Sequence, residues 1–138
     1  MKFSIKSQYG LQAMLELALK YGNEPEQISS IARNQKLPVR FLEQLLLGLK
    51  RSGLLLSTRG KFGGYNLAKH PSDITILEVI EALEGPIALA SVKMKKSPVL
   101  LEAFQKIEDN IKKNLAQTTL EDLVFKKKAR DREYNYNI

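Results

Sequence analysis

The chain has 138 residues, of which 43% are hydrophobic and 27% charged, and its formal net charge at pH 7 is +7; this fits one globular domain, or a small domain with a dimerisation segment. The absence of cysteine excludes disulfides and metal centres held by thiolates. The single histidine, His70, is predicted to be a solvated turn residue. No apolar run approaches the roughly 18 residues of a membrane span. Because the start of the chain also does not resemble a signal peptide, we predict a cytoplasmic protein without metal or other cofactor.

The first half of the chain shows the pattern of three short helices. The first is predicted from Ser7 to about Tyr21, the second from Ile28 to Asn34, and the third from Pro38 to Ser52. Proline suits the first position of the third helix, and Gly53 is a typical stop after its last residue. The residues predicted on the buried faces are Leu11, Met14, Leu15, Ala18, Tyr21, Ile28, Ile31, Ala32, Phe41, Leu42, Leu45, Leu46 and Leu49.

A β-hairpin is predicted to follow these helices. Residues 54–58 and 65–67 have the character of strands, and the turn between them, residues 59–64, is basic and rich in glycine. Three helices and such a hairpin form the element order of a winged helix-turn-helix, whose third helix enters the major groove of DNA. We therefore predict a mainly α-helical fold with a small β-hairpin, in which residues 1–70 form the DNA-binding domain.

The second half is predicted to be helical. After a loop at residues 70–73, Thr75 and Glu78 form a capping box that opens a helix ending at Gly85. The residues that this helix is predicted to bury are Leu77, Ile80 and Leu83. A second cap at residues 118–121 predicts a short last helix that ends near Phe125, followed by a polar and aromatic tail.

A longer helix is predicted from Val99 to Gln117, after an exposed loop at residues 86–98. Large apolar residues recur along it at steps of four, three, four and four: Leu100, Phe104, Ile107, Ile111 and Leu115. Such a stripe on a long helix of a small protein needs a partner surface, so it predicts homodimerisation. Residues 71–138 are therefore assigned as the connecting helix, the dimerisation helix and the tail.

The excess of positive charge lies entirely in the first half. Residues 1–69 contain 11 Lys and Arg against 4 Asp and Glu, whereas residues 70–138 contain 11 of each. A basic half joined to a neutral half is typical of a polyanion-binding module joined to a second functional segment. The alternative is solubility charge without a ligand, and the placement of the cations decides between the two.

The predicted DNA contacts fall in three places. The first is the early exposed part of the third helix: Pro38, Val39, Arg40, Glu43 and Gln44. Arg40 can donate to guanine or phosphate and Gln44 can pair with adenine, whereas Glu43 either accepts from cytosine, pairs with Arg40 or contacts a partner subunit. The second is the hairpin turn, a candidate for the minor groove or otherwise a solvated loop: Arg59, Gly60 and Lys61. The third is the start of the chain, where phosphate contacts are expected: Ser4, Lys6 and Tyr9.

Short motifs spread over nearly the whole chain carry a resemblance. They are KSQYGL at 6–11, IA at 31–32, FLEQLL at 41–46, SGL at 52–54, RG at 59–60, GGY at 63–65 and IEALEGP at 80–86. Together they resemble the IscR/CymR family of bacterial repressors, the Rrf2 family. The resemblance implies a homodimer whose long C-terminal helices cross between subunits. It also implies binding to an imperfect palindrome of double-stranded DNA through paired recognition helices and wings.

The chain departs from the iron–sulfur members of that family. They have three cysteines between the Glu-Gly-Pro motif and the long helix, and residues 87–97 contain none. The chain more closely resembles the cysteine-free branch typified by the cysteine-metabolism repressor, whose sensor is a partner enzyme, cysteine synthase (O-acetylserine sulfhydrylase). The tail is a candidate docking peptide for this enzyme because tyrosines are common interface anchors, and the alternative is that it folds onto the dimer interface. The tail residues concerned are Tyr134, Tyr136 and Ile138.

Two other classes of function have weaker support. One is a non-enzymatic basic module for RNA or an acidic protein, but the aromatic residues of the basic half are scattered instead of lying on one sheet face. The other is an enzyme. The glycine-rich turn is not followed by Gly-Lys-Ser/Thr and a helix, and neither a Ser-His-Asp set nor a carboxylate pair stands out. We therefore predict that the protein is not an enzyme.

Overall fold

The computed structural model describes residues 3–90 and 92–136, which fold into α-helices and one antiparallel hairpin. In chain order the elements are α1 (Ile5–Leu19), α2 (Ile28–Gln35), α3 (Val39–Arg51), β1 (Leu55–Thr58), β2 (Gly64–Leu67), α4 (Ile76–Glu84), α5 (Pro98–Gln117) and α6 (Leu120–Tyr136), with short 3-10 helices at Pro71–Asp73 and Val92–Lys96. The prediction of a mainly α-helical fold with a small hairpin is confirmed. The bounds of most elements lie within two residues of those predicted, and α6 is the exception.

One hydrophobic core joins α1, α2, α3 and the hairpin. The leucines that recur at helical spacing on α3 are almost completely buried: Leu42, Leu45, Leu46 and Leu49. They pack with Met14 of α1 and Ile31 of α2, as the apolar spacing predicts. Tyr21 was predicted to lie on the buried face and does not. Because α1 ends at Leu19, this tyrosine lies beyond the helix and is 48% exposed. Its ring meets the His70 ring edge-on, with the two ring centroids 5.1 Å apart.

Helix α4 closes the core from the other side and begins with the predicted capping box. The Thr75 hydroxyl accepts from the Glu78 N–H at 3.1 Å, and the Glu78 carboxylate accepts from the Thr75 N–H at 3.3 Å. The buried residues are Val79, Ile80 and Leu83, so the prediction of Leu77 is wrong; Leu77 is only half-buried. Leu83 fills the space above Gly10 of α1, where a Cβ would overlap its Cδ1 atom, so α1 and α4 approach closely.

Helix α6 is much longer than predicted, because it continues past Phe125 to Tyr136. Residues 126–136 contain no glycine or proline and many good helix formers, so a helix can continue without an apolar face. The start of α6 is fixed by a cap, since Thr119 and Asp122 exchange side-chain-to-backbone hydrogen bonds at 3.1 and 2.9 Å. Leu120 is fully buried in the same core as α1 and α3. The division at residue 70 therefore separates sequence segments that share one core, and it stays a prediction.

Candidate nucleic-acid interface

A tight turn joins α2 and α3. Lys36 ends α2 with a left-handed φ of 56°, and the N–H of buried Leu37 donates to the Ala32 carbonyl at 2.8 Å. Pro38 is the capping residue before α3 and not its first helical residue, a shift of one position from the prediction. The turn sets α3 against α1 and α2 with its leucine face inward. The opposite face of α3 consequently lies in solvent.

The solvent face of α3 carries the residues predicted to read bases. Its exposed residues near the start of the helix are Val39, Arg40, Glu43, Gln44 and Leu47. Among the described ion pairs none joins Glu43 to Arg40, so the intrahelical pair considered for Glu43 is not formed here. Arg40, Glu43 and Gln44 all lie on this exposed face, and base contacts by them stay a prediction. Leu47 was not predicted, although its place one turn beyond Gln44 marks the same face.

The start of α1 is tied to α4. The Ser4 hydroxyl caps α1 by accepting from the Ser7 N–H at 3.3 Å, and the Ser4 N–H donates to Glu84 Oε1 at 3.1 Å. The hydrogen bond with Ser4 lowers the pKa of Glu84. Lys6 is exposed nearby, whereas Tyr9 is half-buried and contacts the Phe41 ring edge-on at 5.6 Å. Ser4 and Tyr9 therefore have structural contacts of their own, and phosphate contacts by either of them or by Lys6 stay a prediction.

The hairpin, residues 55–67, is called the wing, and residues 59–63 are its tip. Thr58 pairs with Gly64 at the last register position of the two strands. The tip turns through Gly60, whose φ is +103°, and closes with a hydrogen bond from the Gly63 N–H to the Gly60 carbonyl at 3.0 Å. The side chains of Arg59 and Lys61 are both exposed. The wing therefore presents two cations on a short, closed loop.

The turn between α1 and α2 supports the wing. Glu26 and Tyr65 exchange two backbone hydrogen bonds, at 3.0 and 2.8 Å, as an extra antiparallel bridge beside β2. The Gln27 side-chain amide donates to the Lys61 carbonyl at 3.1 Å, which holds the tip. Gly64 is essential to this packing, because a Cβ there would overlap the Glu26 carbonyl group.

A buried carboxylate pair lies under this bridge, although no carboxylate pair was predicted from the sequence. Glu16 and Glu26 share the Lys20 ammonium at 3.0 and 2.8 Å, and both are almost completely buried. The Asn34 amide donates to both, at 2.8 and 3.4 Å, and the Gln35 amide donates to Glu16 at 3.1 Å. A charged residue among the apolar residues of α1 was the one indication of this pair in the sequence.

The two carboxyl groups titrate in opposite directions. Burial, followed by the hydrogen bond to Glu16, raises the pKa of Glu26. Burial acts to raise the pKa of Glu16 as well, but hydrogen bonds from Glu26, Asn34, Lys20 and Gln35 outweigh it and hold that pKa at about 2. Glu16 therefore contributes stability above its ordinary pKa of 4.5, which is lost as the pH falls toward 2. Glu26 contributes stability in acid, which is lost as the pH rises from 4.5 through its raised pKa.

The apolar stripe of α5 is only partly covered by the described residues of the chain. No residue of α5 is buried. Leu100 and Ile107 are 52% and 48% exposed, whereas Phe104, Ile111 and Leu115 are half-buried. Val99 of α5 and Phe125 of α6 are also strongly exposed. The stripe therefore leaves apolar side chains exposed on α5, and its role in dimerisation stays a prediction.

The aromatic residues of the tail lie near the end of α6. Tyr134 and Tyr136 are 70% and 90% exposed, and they belong to a helix, not to an extended peptide. The third predicted docking residue, Ile138, lies outside the described residues.

The residues present do not fit an iron–sulfur cluster. The chain has no cysteine, and residues 87–97 also lack histidine. Within residues 3–90 and 92–136, no group of three His, Asp or Glu side chains is arranged to hold a metal ion. Over the same part of the chain, no helix is long and apolar enough to cross a membrane.

A three-helix unit with an exposed third helix and a basic wing defines a winged helix-turn-helix transcription regulator. The chain belongs to the Rrf2 family, since the model of this family, described as an iron-dependent transcriptional regulator, matches residues 3–126. It is 41% identical to the HTH-type transcriptional regulator CymR of Bacillus subtilis over 138 residues, which is 100% of both chains.

Two solved structures show the same fold. The structure of CymR, described as the global cysteine regulator of B. subtilis, matches with a TM-score of 0.81 and 43% identity, over 90% of this chain and 96% of the other. The structure of IscR from T. potens matches with a TM-score of 0.75 and 36% identity, over 91% and 88% of the two chains. The family resemblance drawn from the motifs is confirmed.

Proposed function

We propose that this protein is a homodimeric, sequence-specific DNA-binding repressor that works without an iron–sulfur cluster and without enzymatic activity. The observation that carries the proposal is that the face of α3 and the cationic wing tip are both exposed on elements that share one hydrophobic core. In this proposal residues 1–70 bind DNA, and residues 71–138 join the subunits and receive the signal. The relatives named as transcriptional regulators support it.

Base reading is assigned to the exposed polar residues of α3. Arg40 and Gln44 have the donors that recognise guanine and adenine in the major groove, and Glu43 has the acceptor for cytosine. Pro38 and Val39 lie at the start of the helix, which approaches the groove first in this class. Arg59 enters the minor groove, with Gly60 allowing close approach and Lys61 contacting phosphate.

The test is a titration of the protein with an operator obtained by selection from a random duplex library. Arg59→Ala should weaken operator binding by about 1–3 kcal/mol at fixed salt if its side chain occupies a groove. Lys95→Ala, which removes one exposed cation from the second half, is the matched control and should leave affinity nearly unchanged. Equal effects of the two variants would reject the wing as a DNA contact, and preference for RNA in competition would favour the alternative module.

Dimerisation is assigned to the stripe on α5. Full burial of a large apolar side chain contributes roughly 1.5–3 kcal/mol relative to full exposure, and because Ile107 and Leu100 are half exposed, covering each of them by a second copy contributes about half of that to dimer stability. Ile107→Asp should give monomers and abolish tight operator binding, because two half-sites must be held together. Gln105→Asp adds the same charge to the same helix outside the stripe and should stay dimeric. A monomeric wild type in sedimentation at micromolar concentration would contradict the assignment.

The regulated genes are assigned to sulfur and cysteine metabolism, and the partner to cysteine synthase. The full-length similarity to a regulator described as the global cysteine regulator supports this assignment. The exposed rings of Tyr134 and Tyr136 supply the chemistry of interface anchors, and Ile138 is included with them. Capture of cysteine synthase by the immobilised protein, with and without O-acetylserine, tests the partnership directly.

A further inference from the structure

The side chain of Phe62, in the wing tip, is not packed into the hydrophobic core. Phe62 is 78% exposed. The Lys61 ammonium lies 5.7 Å from its ring centroid, and Arg59 is exposed three positions earlier. A single exposed apolar residue is common on protein surfaces. The location of this one is what matters, because it lies among cations at the end of the wing.

The backbone of the tip holds its shape without help from the ring. The Gly63 N–H closes the loop onto the Gly60 carbonyl at 3.0 Å, and Gln27 holds the Lys61 carbonyl at 3.1 Å. A Cβ at Gly63 would overlap the Thr58 carbonyl oxygen, so the loop is tightly folded against β1. Phe62 is thus presented by a braced backbone, and truncating its ring removes no core packing.

We propose that Phe62 is an additional DNA-contacting residue, which enters the minor groove beside Arg59 and packs its ring against sugars and base edges. The inference rests on the proposed function, since it needs the wing to meet duplex DNA. The neighbouring cations are attracted by phosphates and by the negative potential of a narrow groove. Because Phe62 lies on the same short loop as these cations, its ring approaches the groove when they do. Apolar side chains, phenylalanine among them, are used in this way by proteins that bind the minor groove.

This contact predicts a preference in the base sequence of the operator. Guanine projects its 2-amino group into the minor groove, whereas an A·T pair presents only acceptors there. A ring packed against the base edges at the bottom of the minor groove, or against the sugars that line it, is obstructed by that amino group. Phe62 therefore favours A·T pairs at the positions flanking the segment that α3 contacts. The preference arises from shape and not from hydrogen bonding.

The first experiment separates apolar from ionic contact by salt dependence, using the selected operator as a 30-base-pair duplex. Phe62→Ala should weaken binding about tenfold without changing the slope of log Kd against log salt concentration. Lys61→Ala should instead reduce that slope, by about 0.9 for each phosphate that the variant no longer neutralises. Phe62→Leu should recover much of the affinity. Equal affinities of Phe62→Ala, Phe62→Leu and the wild type would overturn the inference.

The second experiment locates the ring in the groove. Replacing the flanking adenines by 2,6-diaminopurine adds the minor-groove amino group, and replacing them by 7-deazaadenine alters only the major groove. Diaminopurine should weaken the wild type more than it weakens Phe62→Ala, because Arg59 meets the amino group in both proteins but only the wild type has a ring for it to obstruct. Independent, additive losses would overturn the assignment of Phe62. If the wild type shows no preference for the selected duplex over random duplex, the proposed function itself fails.

Discussion

Replacing Gly64 by alanine tests whether the bridge between Glu26 and Tyr65 positions the wing. Gly64 begins β2, has a φ of +151° and lies against the Glu26 carbonyl group. A methyl group there would overlap backbone atoms, which cannot rotate away as a flexible side chain does. The turn between α1 and α2 must therefore separate from β2.

The expected loss has two parts. The side chain is strained by the positive φ, which costs about 1–3 kcal/mol. Separation also breaks two backbone hydrogen bonds between Glu26 and Tyr65, each of which contributes about 0.5–1.5 kcal/mol. Gly60→Ala isolates the first part, because Gly60 has a φ of +103° and nothing within 4 Å of the added atom. We expect Gly64→Ala to be less stable than Gly60→Ala by about 1–3 kcal/mol.

Urea unfolding at one fixed protomer concentration measures both variants, because the stability of an oligomer depends on concentration. Operator titration should show the larger affinity loss for Gly64→Ala, since its wing is displaced as a unit. Equal unfolding free energies of the two variants, or a Gly64→Ala protein that binds DNA like the wild type, would refute the role assigned to the bridge.

Two further predictions concern the buried pair and the tail. Glu26→Gln keeps the shape of the side chain and removes its titration, so the unfolding free energy should decline less steeply above pH 4.5 than in the wild type; urea unfolding from pH 4.5 to 8 measures this, and parallel declines would contradict it. Alanine at both Tyr134 and Tyr136 should abolish capture of cysteine synthase without lowering the melting temperature. Asn135→Ala is the control for the tail, and a loss of stability in the double variant would make its role structural.

Local and periodic features of the sequence predicted most of the fold. The leucines of α3 recur at helical spacing, and the pair Thr75 and Glu78 is three residues apart, so both features depend only on neighbours along the chain. Helix α6 was missed beyond Phe125 because it has no apolar face to show its period. Beyond Phe125 the helix depends only on the helix propensity of its residues, and helix propensity is a weak indicator in a short segment.

The candidate site was predictable where it depends on exposure and not where it depends on contacts between distant segments. Arg40, Gln44 and Arg59 follow from helix phase and turn chemistry. The carboxylate pair joins Glu16 to Glu26 across a turn and uses Asn34 of the next helix, so no spacing in the sequence indicates it. Phe62 was not predicted as a site residue, because its exposure is a property of the folded wing.

The fixed start of α6 determines how a partner at its far end can act. Leu120 is locked in the core, and the Ile74 and Thr118 carbonyls accept backbone hydrogen bonds from Leu120 and Ile76, each at 2.9 Å. A continuous helix from Leu120 to Tyr134 spans about 21 Å at a rise of 1.5 Å per residue. The tail is therefore a continuous extension of a helix whose start is fixed in the core, and not a flexible linker. In the proposed function, a partner protein bound at the end of α6 is held at a fixed position relative to α3, so it can block or permit access to the operator without a change in α3.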